Sequence, residues 1–189
     1  KICEQELPNA LVLPRGAASL PRLFAAGELD AITINFPPPQ PKAKYAKKRH
    51  VHVDHLMLYR PLFAAGATVT LRTDSRPLRD YALGQFAAAG YDTLWVSDDV
   101  RRDHPEHPET EYECRTREMG AVVYGICVTS GEEPTEEQLA AGRAQEQSLA
   151  CYLPDDLDEL TYVPLGMEEA VENFKNRARK GKKRLPQES

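Results

Sequence analysis

A chain of 189 residues, 41% of them hydrophobic, is long enough for one domain with a real core plus an appendage. Its net charge of −5 excludes a uniformly basic nucleic-acid binder. Its four cysteines (Cys3, Cys114, Cys127 and Cys151) form no Cys-x-x-Cys pair, which argues against a zinc ribbon or disulfide framework and predicts reduced, mostly buried thiols. No apolar run reaches membrane-spanning length and no signal peptide is visible, so no membrane partner is expected and the predicted setting is cytoplasmic. The charge is segregated: bases crowd into Lys42–Arg49 and Lys175–Arg184, acids into Arg101–Glu118 and Glu132–Glu172. The chain opens on Lys1 rather than Met, which predicts a piece of a longer protein.

In chain order, Ala10–Leu13 (ALVL) predicts a short strand, and Arg15–Ala18 a turn. Ser19 then suits a helix N-cap, with Pro21 in the first turn, Leu20, Leu23 and Phe24 on an apolar face, and Gly27 as the stop. In Ala31–Phe36, Ile32, Ile34 and Phe36 alternate with Thr33 and Asn35, a strand. Pro37, Pro38, Pro39 and Pro41 forbid both ladder and helix beyond it. A helix is predicted from Arg49 to Ala65, kinked at Pro61 and closed by Gly66. Thr68–Arg72 is a β-branched strand. Thr73-Asp74-Ser75 ends it and offers caps for a helix over Pro77–Ala89 that stops at Gly90.

Thr93–Val96 predicts a strand, Ser97–Glu109 an acidic loop, Glu111–Met119 a short helix and Ala121–Thr129 a strong last strand. Helices are expected over Thr135–Ala150 and Gly166–Arg179, before a basic tail. Alternating strands and helices give an α/β class with a mainly parallel sheet, in an α/β unit over 1–130 and a helical extension over 131–189.

Four ordered pieces resemble the bacterial tRNA (guanine-N7)-methyltransferase family. They are Phe36-Pro37-Pro38-Pro39-Gln40-Pro41-Lys42 with Lys47-Lys48-Arg49-His50; Thr73-Asp74 followed by a helix holding Tyr81; Thr110-Glu111-Tyr112-Glu113-x-Arg115; and Gly120 leading into the last strand. The resemblance spans roughly Asn9–Val128, and 129–189 fall outside it. Pro38 stands at the family's loop aspartate, Gln40 at its tryptophan, and Ala17 where an acidic residue is usual. The segment Ala43–Ala46 is inserted.

The resemblance implies a Rossmann-like class I methyltransferase sheet, here its later part with an antiparallel last strand. It implies S-adenosylmethionine as cofactor, tRNA as partner and guanine N7 as acceptor. Ala17, Ala18, Asn35 and Phe36 become the implied cofactor-side residues. No Gly-x-Gly turn precedes Asn9, so the cofactor half of the fold is expected outside these residues. A truncated sheet would expose edges, so a homodimer is a further expectation.

Guanine N7 carries no proton, so its methylation needs orientation and desolvation more than a strong base. Asp74 and Glu113 are the candidate catalytic carboxylates, accepting from the guanine N–H groups, with Thr73 and Thr110 as orienting hydroxyls. Helix capping is the competing reading for Asp74, and an ion pair with Arg115 or Arg117 the competing one for Glu113. Lys42, Lys48, Arg49 and His50, with Lys44 and Lys47, form a basic loop suited to phosphate, and Tyr45 could stack on a base. A solvated charged loop is the plain alternative.

His50, His52 and His55 lack metal-pair spacing, and Trp95 is expected in the core. His104 and His107 lie in an acidic loop that reads as surface rather than as a metal site. A non-catalytic methyltransferase-like protein that binds RNA or a protein partner is the alternative to an enzyme.

Overall fold

The computed structural model describes residues 9–154, 157, 160 and 162–182. Among them, four strands form one sheet: β1 (Leu29–Asn35), β2 (Phe63–Thr73), β3 (Tyr91–Ser97) and β4 (Tyr124–Ser130), in the order β1-β2-β4-β3. β1 and β2 pair in parallel, and β4 runs antiparallel to both of its neighbours, β2 and β3. Three strands therefore point one way and the last is inserted against them. This is the α/β class expected, with an antiparallel last strand.

The helices follow from short-range signals. α1 (Val53–Tyr59) is capped by His52, whose Nδ1 accepts from Asp54 N. A 3₁₀ turn at Arg60–Leu62, built on Pro61, ends it. β2 then starts at Phe63 and carries Gly66 at φ 77° inside it, so Ala64–Ala67 continue a strand rather than a helix. The register shift between Leu29 and Ala31 opposite this stretch absorbs the extra residues. α2 (Arg76–Ala88) starts at Ser75, whose Oγ accepts from Leu78 N, with Pro77 in its first turn.

The expected acidic loop contains a four-residue turn of helix, α3 (Val100–Asp103), capped by Asp99. α4 (Glu111–Glu118) is capped by Thr110. α5 (Glu136–Ala144) starts on a capping box between Thr135 and Gln138, and α6 is Glu168–Lys182. α5 stops at Gln145, short of Ala150, and a 3₁₀ turn follows at Leu149–Tyr152. Ala10–Leu13 form no strand: Leu11 is 82% exposed, and this stretch joins no ladder among the described residues. The next helix is only a 3₁₀ turn, Ala17–Arg22.

The core joins Ile34, Val69, Leu71, Ile126 and Val128 of the sheet to Leu56 of α1 and to Leu78, Tyr81 and Phe86 of α2. Leu139, Leu149 and Met167 from beyond β4 belong to the same cluster. Trp95 sits elsewhere, half-buried over Gly125, where an added Cβ would come within 2.8 Å of its ring. It stacks on His104 at 4.1 Å between centroids. Of the three described cysteines, Cys114 and Cys151 are exposed and only Cys127 is buried, contrary to the expectation; Cys3 lies outside the described residues.

Candidate active site at the carboxyl ends of β1 and β2

The proline loop leaves β1 on strained backbone. Phe36 N donates to Arg72 O at 2.7 Å, extending the ladder by one residue. Phe36 and Gln40 then take φ values of 46° and 52°, unusual for residues with a Cβ. Such conformations persist only where the surroundings hold them. The holder is Arg49. Its guanidinium donates to Pro39 O at 3.1 Å, to Gln40 O at 2.7 Å and to Gln147 O at 2.7 Å, and lies 4.4 Å from the Tyr81 ring centroid. Burial pushes its pKa down, yet an arginine stays charged. Arg49 is 1% exposed, so it organises the loop from within and is not presented to a phosphate, a correction to the sequence reading.

At the end of β2, Thr73 Oγ1 accepts from Ser75 N at 3.1 Å, and Ser75 makes the helix cap. Capping therefore falls to Ser75, and Asp74 is left for other work. Its Oδ2 accepts from Tyr112 Oη at 3.1 Å and from Tyr162 Oη at 2.8 Å. Tyr112 in turn lies 5.0 Å from Phe36, ring to ring. Burial and the Asp74 carboxylate both push the two phenol pKa values up, so both stay protonated donors. Asp74 separates two cavities. One, of about 260 Å³, is lined by Phe36–Pro41, Tyr112, Leu165 and Gly166; the other, of about 100 Å³, by Arg76, Tyr124, Tyr162 and Met167 among others.

Thr110 comes to the same end of the sheet but spends its hydroxyl on capping α4, accepting from Glu113 N at 3.1 Å. Glu113 is fully buried and pairs with Arg72 and Arg101. Its Oε1 lies 2.7 Å from Arg101 Nε at an angle that makes an ion pair without a hydrogen bond. Arg72 also donates to Pro108 O at 2.7 Å. Glu113 thus lies beneath the site as a structural counter-ion, and its partners are neither Arg115 nor Arg117. This corrects both readings of that residue.

In the basic loop, Lys42 pairs with Glu169 at 2.8 Å, which pushes its pKa up. Lys44 and Lys48 are exposed and flank the Tyr45 ring at 5.0 and 4.8 Å. His50 is half-buried with an unpartnered Nδ1, and burial, then the nearby His55, push its pKa down. The exposed cations of the loop are lysines alone.

Of the cofactor-side residues, Asn35 is exposed at the end of β1, on the edge of the described sheet, and Phe36 follows it. The Asn35 amide can both donate and accept a hydrogen bond there. Ala17 packs against the core and Ala18 is exposed; neither carries a polar side chain. His104, Glu106 and His107 bring their ligand-type atoms within 4.8 Å of one another beside Trp95. Tyr112 lies inside the Thr-x-Tyr-Glu piece, and that motif is its sequence signal. Tyr162 left no local signal at all.

An open α/β sheet with an antiparallel last strand inserted beside a parallel pair, and its cleft at the parallel strands' carboxyl ends, defines a Rossmann-like methyltransferase class of fold. Residues 1–126 match the family described as "Putative methyltransferase", and the chain belongs to that family. It is similar to a tRNA (guanine-N(7)-)-methyltransferase of Streptococcus equi subsp. zooepidemicus (strain MGCS10565), 32% identical over 130 residues, 68% of this chain and 62% of the relative. Proteins of the same name from Lactococcus lactis subsp. cremoris (strain MG1363) and Exiguobacterium sp. (strain ATCC BAA-1283 / AT1b) are 32% and 33% identical, over 67% and 66% of this chain and 59% and 58% of theirs. The chain spans about three fifths of the length of the curated relatives it matches.

Proposed function

We propose that this protein acts as an S-adenosylmethionine-dependent methyltransferase on guanine N7 of tRNA. The single observation that carries the reading is Asp74, a carboxylate at the end of β2 facing the proline-loop cavity, in a chain that belongs to the methyltransferase family. A carboxylate offers about four acceptor sites. The two tyrosines occupy Oδ2, which leaves Oδ1 to accept from the adjacent donors, N1–H and the 2-amino group, of a guanine edge. Adenine has no N1–H, so the same carboxylate selects against it.

The cofactor, when bound, supplies a methyl group on a sulfonium sulfur. The chain's part is to hold the base in line with N7 outward and to exclude water. The rigid proline loop, fixed by Arg49, serves as that wall. Lys44, Lys47 and Lys48 supply exposed positive charge beside the cavity for RNA phosphates. Lys42 joins them where it exchanges Glu169 for phosphate. Asn35 is the cofactor-facing polar group. A cytoplasmic setting follows from a tRNA substrate, and no described helix is long and apolar enough to cross a membrane.

The test is transfer of a radiolabelled methyl group from S-adenosylmethionine to unmodified tRNA, with 7-methylguanosine identified after digestion. Asp74→Asn is expected to lower the rate roughly a hundredfold, since an amide turned donor-outward opposes the guanine edge. Absence of both labelled product and calorimetric cofactor binding by the intact protein sinks the enzyme reading. Under that outcome, tRNA binding alone would leave a binding function.

A further inference from the structure

The segment after β4 lies outside the family match, yet it reaches the candidate site. Its anchors are buried: Met167 at 0% and Val171 at 5% exposure, with Pro164 buried beside them. Lys42 and Glu169 tie it to the proline loop, and Leu165 and Gly166 complete one wall of that loop's cavity. Residues 162–171 therefore form a packed wall of the site. From it, Tyr162 reaches back 88 residues to place its hydroxyl 2.8 Å from Asp74 Oδ2.

We infer that Tyr162 is a positioning residue that sets guanine specificity. By occupying Oδ2 together with Tyr112, it fixes the rotation of the Asp74 carboxylate so that Oδ1 faces the incoming base edge. The inference rests on the proposed role of Asp74. Tyr112, from the family-matched part, supplies one donor from the α4 side. Tyr162 supplies the second from the opposite cavity, so the carboxylate is gripped from two directions. One tyrosine alone would leave it free to turn about its Cβ–Cγ bond, because a single acceptor–donor contact does not fix a plane. Burial and Asp74 hold the Tyr162 phenol protonated, so the donor is present throughout the working pH range.

The test crosses a variant with a substrate analogue. Tyr162→Phe keeps the ring that lines the smaller cavity and deletes only the hydroxyl. The full-length variant and the wild type are assayed for methyl transfer to tRNA carrying guanosine or inosine at the acceptor position. Inosine keeps N1–H and lacks the 2-amino group. On guanosine, Tyr162→Phe is expected to lower kcat/KM roughly tenfold, the loss that goes with one charge-assisted hydrogen bond. On inosine the loss shrinks to about threefold or less, because one of the two contacts it aligns is already gone.

Equal losses on both substrates mean a merely structural hydroxyl and overturn the inference, as does no loss on guanosine. Asp74→Asn, run in parallel, separates the two failures. If it retains full activity, the role of Asp74 is wrong and the inference falls with it. If it loses activity while Tyr162→Phe does not, only the positioning role falls.

Discussion

Replacing Glu113 by alanine gives the sharpest check on how the floor of the site is built. The carboxylate is 0% exposed, and its partners Arg72 and Arg101 have side chains only 2% and 15% exposed. Removing it leaves two guanidinium groups facing each other in a nearly dry pocket, each disfavouring the other's charge. Breaking a buried ion pair by deleting one partner typically costs about 3–5 kcal/mol. Arg72 keeps its bond to Pro108 O and Arg101 is partly wet, so the low end applies, about 3 kcal/mol. For a chain of this size that corresponds to a fall in Tm of about 6–12 °C. Urea denaturation at constant m measures it directly. A Glu113→Leu, Arg72→Met, Arg101→Met triple variant should recover most of the loss, because an apolar replacement leaves no charge unpaired. A loss below about 1 kcal/mol for Glu113→Ala would refute the buried counter-ion. Full stability with abolished methyl transfer would instead return Glu113 to a direct role with substrate.

Three further outcomes follow from the same geometry. Arg49→Lys cannot reproduce a fork that reaches Pro39, Gln40 and Gln147 while covering Tyr81; it should cost about 2–3 kcal/mol in denaturant titration and raise hydrogen exchange through the proline loop. Lys44→Ala with Lys48→Ala should leave stability within about 0.5 kcal/mol and lower the salt-dependence slope of tRNA binding by about 2, measured by filter binding across a salt series. Lowering pH below the ordinary imidazole value of 6.5 should destabilise the fold, because burial depresses the pKa values of His50 and His52. The unfolded chain takes up these protons first, so the contribution is complete above 6.5 and is lost as pH falls through the lower folded values. Thermal melts from pH 8 to 5 should show this, and His50→Gln with His52→Asn, the latter keeping a capping acceptor, should flatten the curve.

What could be read along the chain was what depends on neighbours in sequence. Ser75 is among the caps offered for the helix after β2 and Thr135 opens the helix expected after β4, and each caps its helix, whereas Thr110, read as an orienting hydroxyl, caps α4 instead. The alternation in Ala31–Phe36 and the prolines after it mark the end of β1 to within a residue, and a cavity lies beside that proline loop. What could not be read depends on partners far away. Ala10–Leu13 has the composition of a strand, but composition supplies no ladder partner. The alanines around Gly66 look helical, and pairing with β1 overrides that preference. Tyr162 meets Asp74 through packing that has no period in the sequence.

Charge was the most misleading signal, for a physical reason. A basic residue's sign is visible in sequence, while the direction of its side chain is decided by what carbonyls and rings the fold brings near. Arg60 illustrates it well away from the cleft: one guanidinium collects the carbonyls of Ala89, Gly90, Gly131 and Glu132, all between 2.5 and 3.1 Å. Arg49 does the same for the proline loop and Arg72 for the floor beneath it. Arginine suits this inward work because its planar fork satisfies several acceptors at once and is less strongly hydrated than an ammonium. Lysine does not, so the lysines of the same loop stay outside. The sorting has a functional consequence. The arginine in the Lys47-Lys48-Arg49 run holds the loop that lines the cavity while the lysines beside it stay exposed, and under the proposed function those lysines are the groups that meet RNA phosphate. Substituting Lys48 by arginine should therefore preserve RNA affinity, whereas substituting Arg49 by lysine should not preserve the loop.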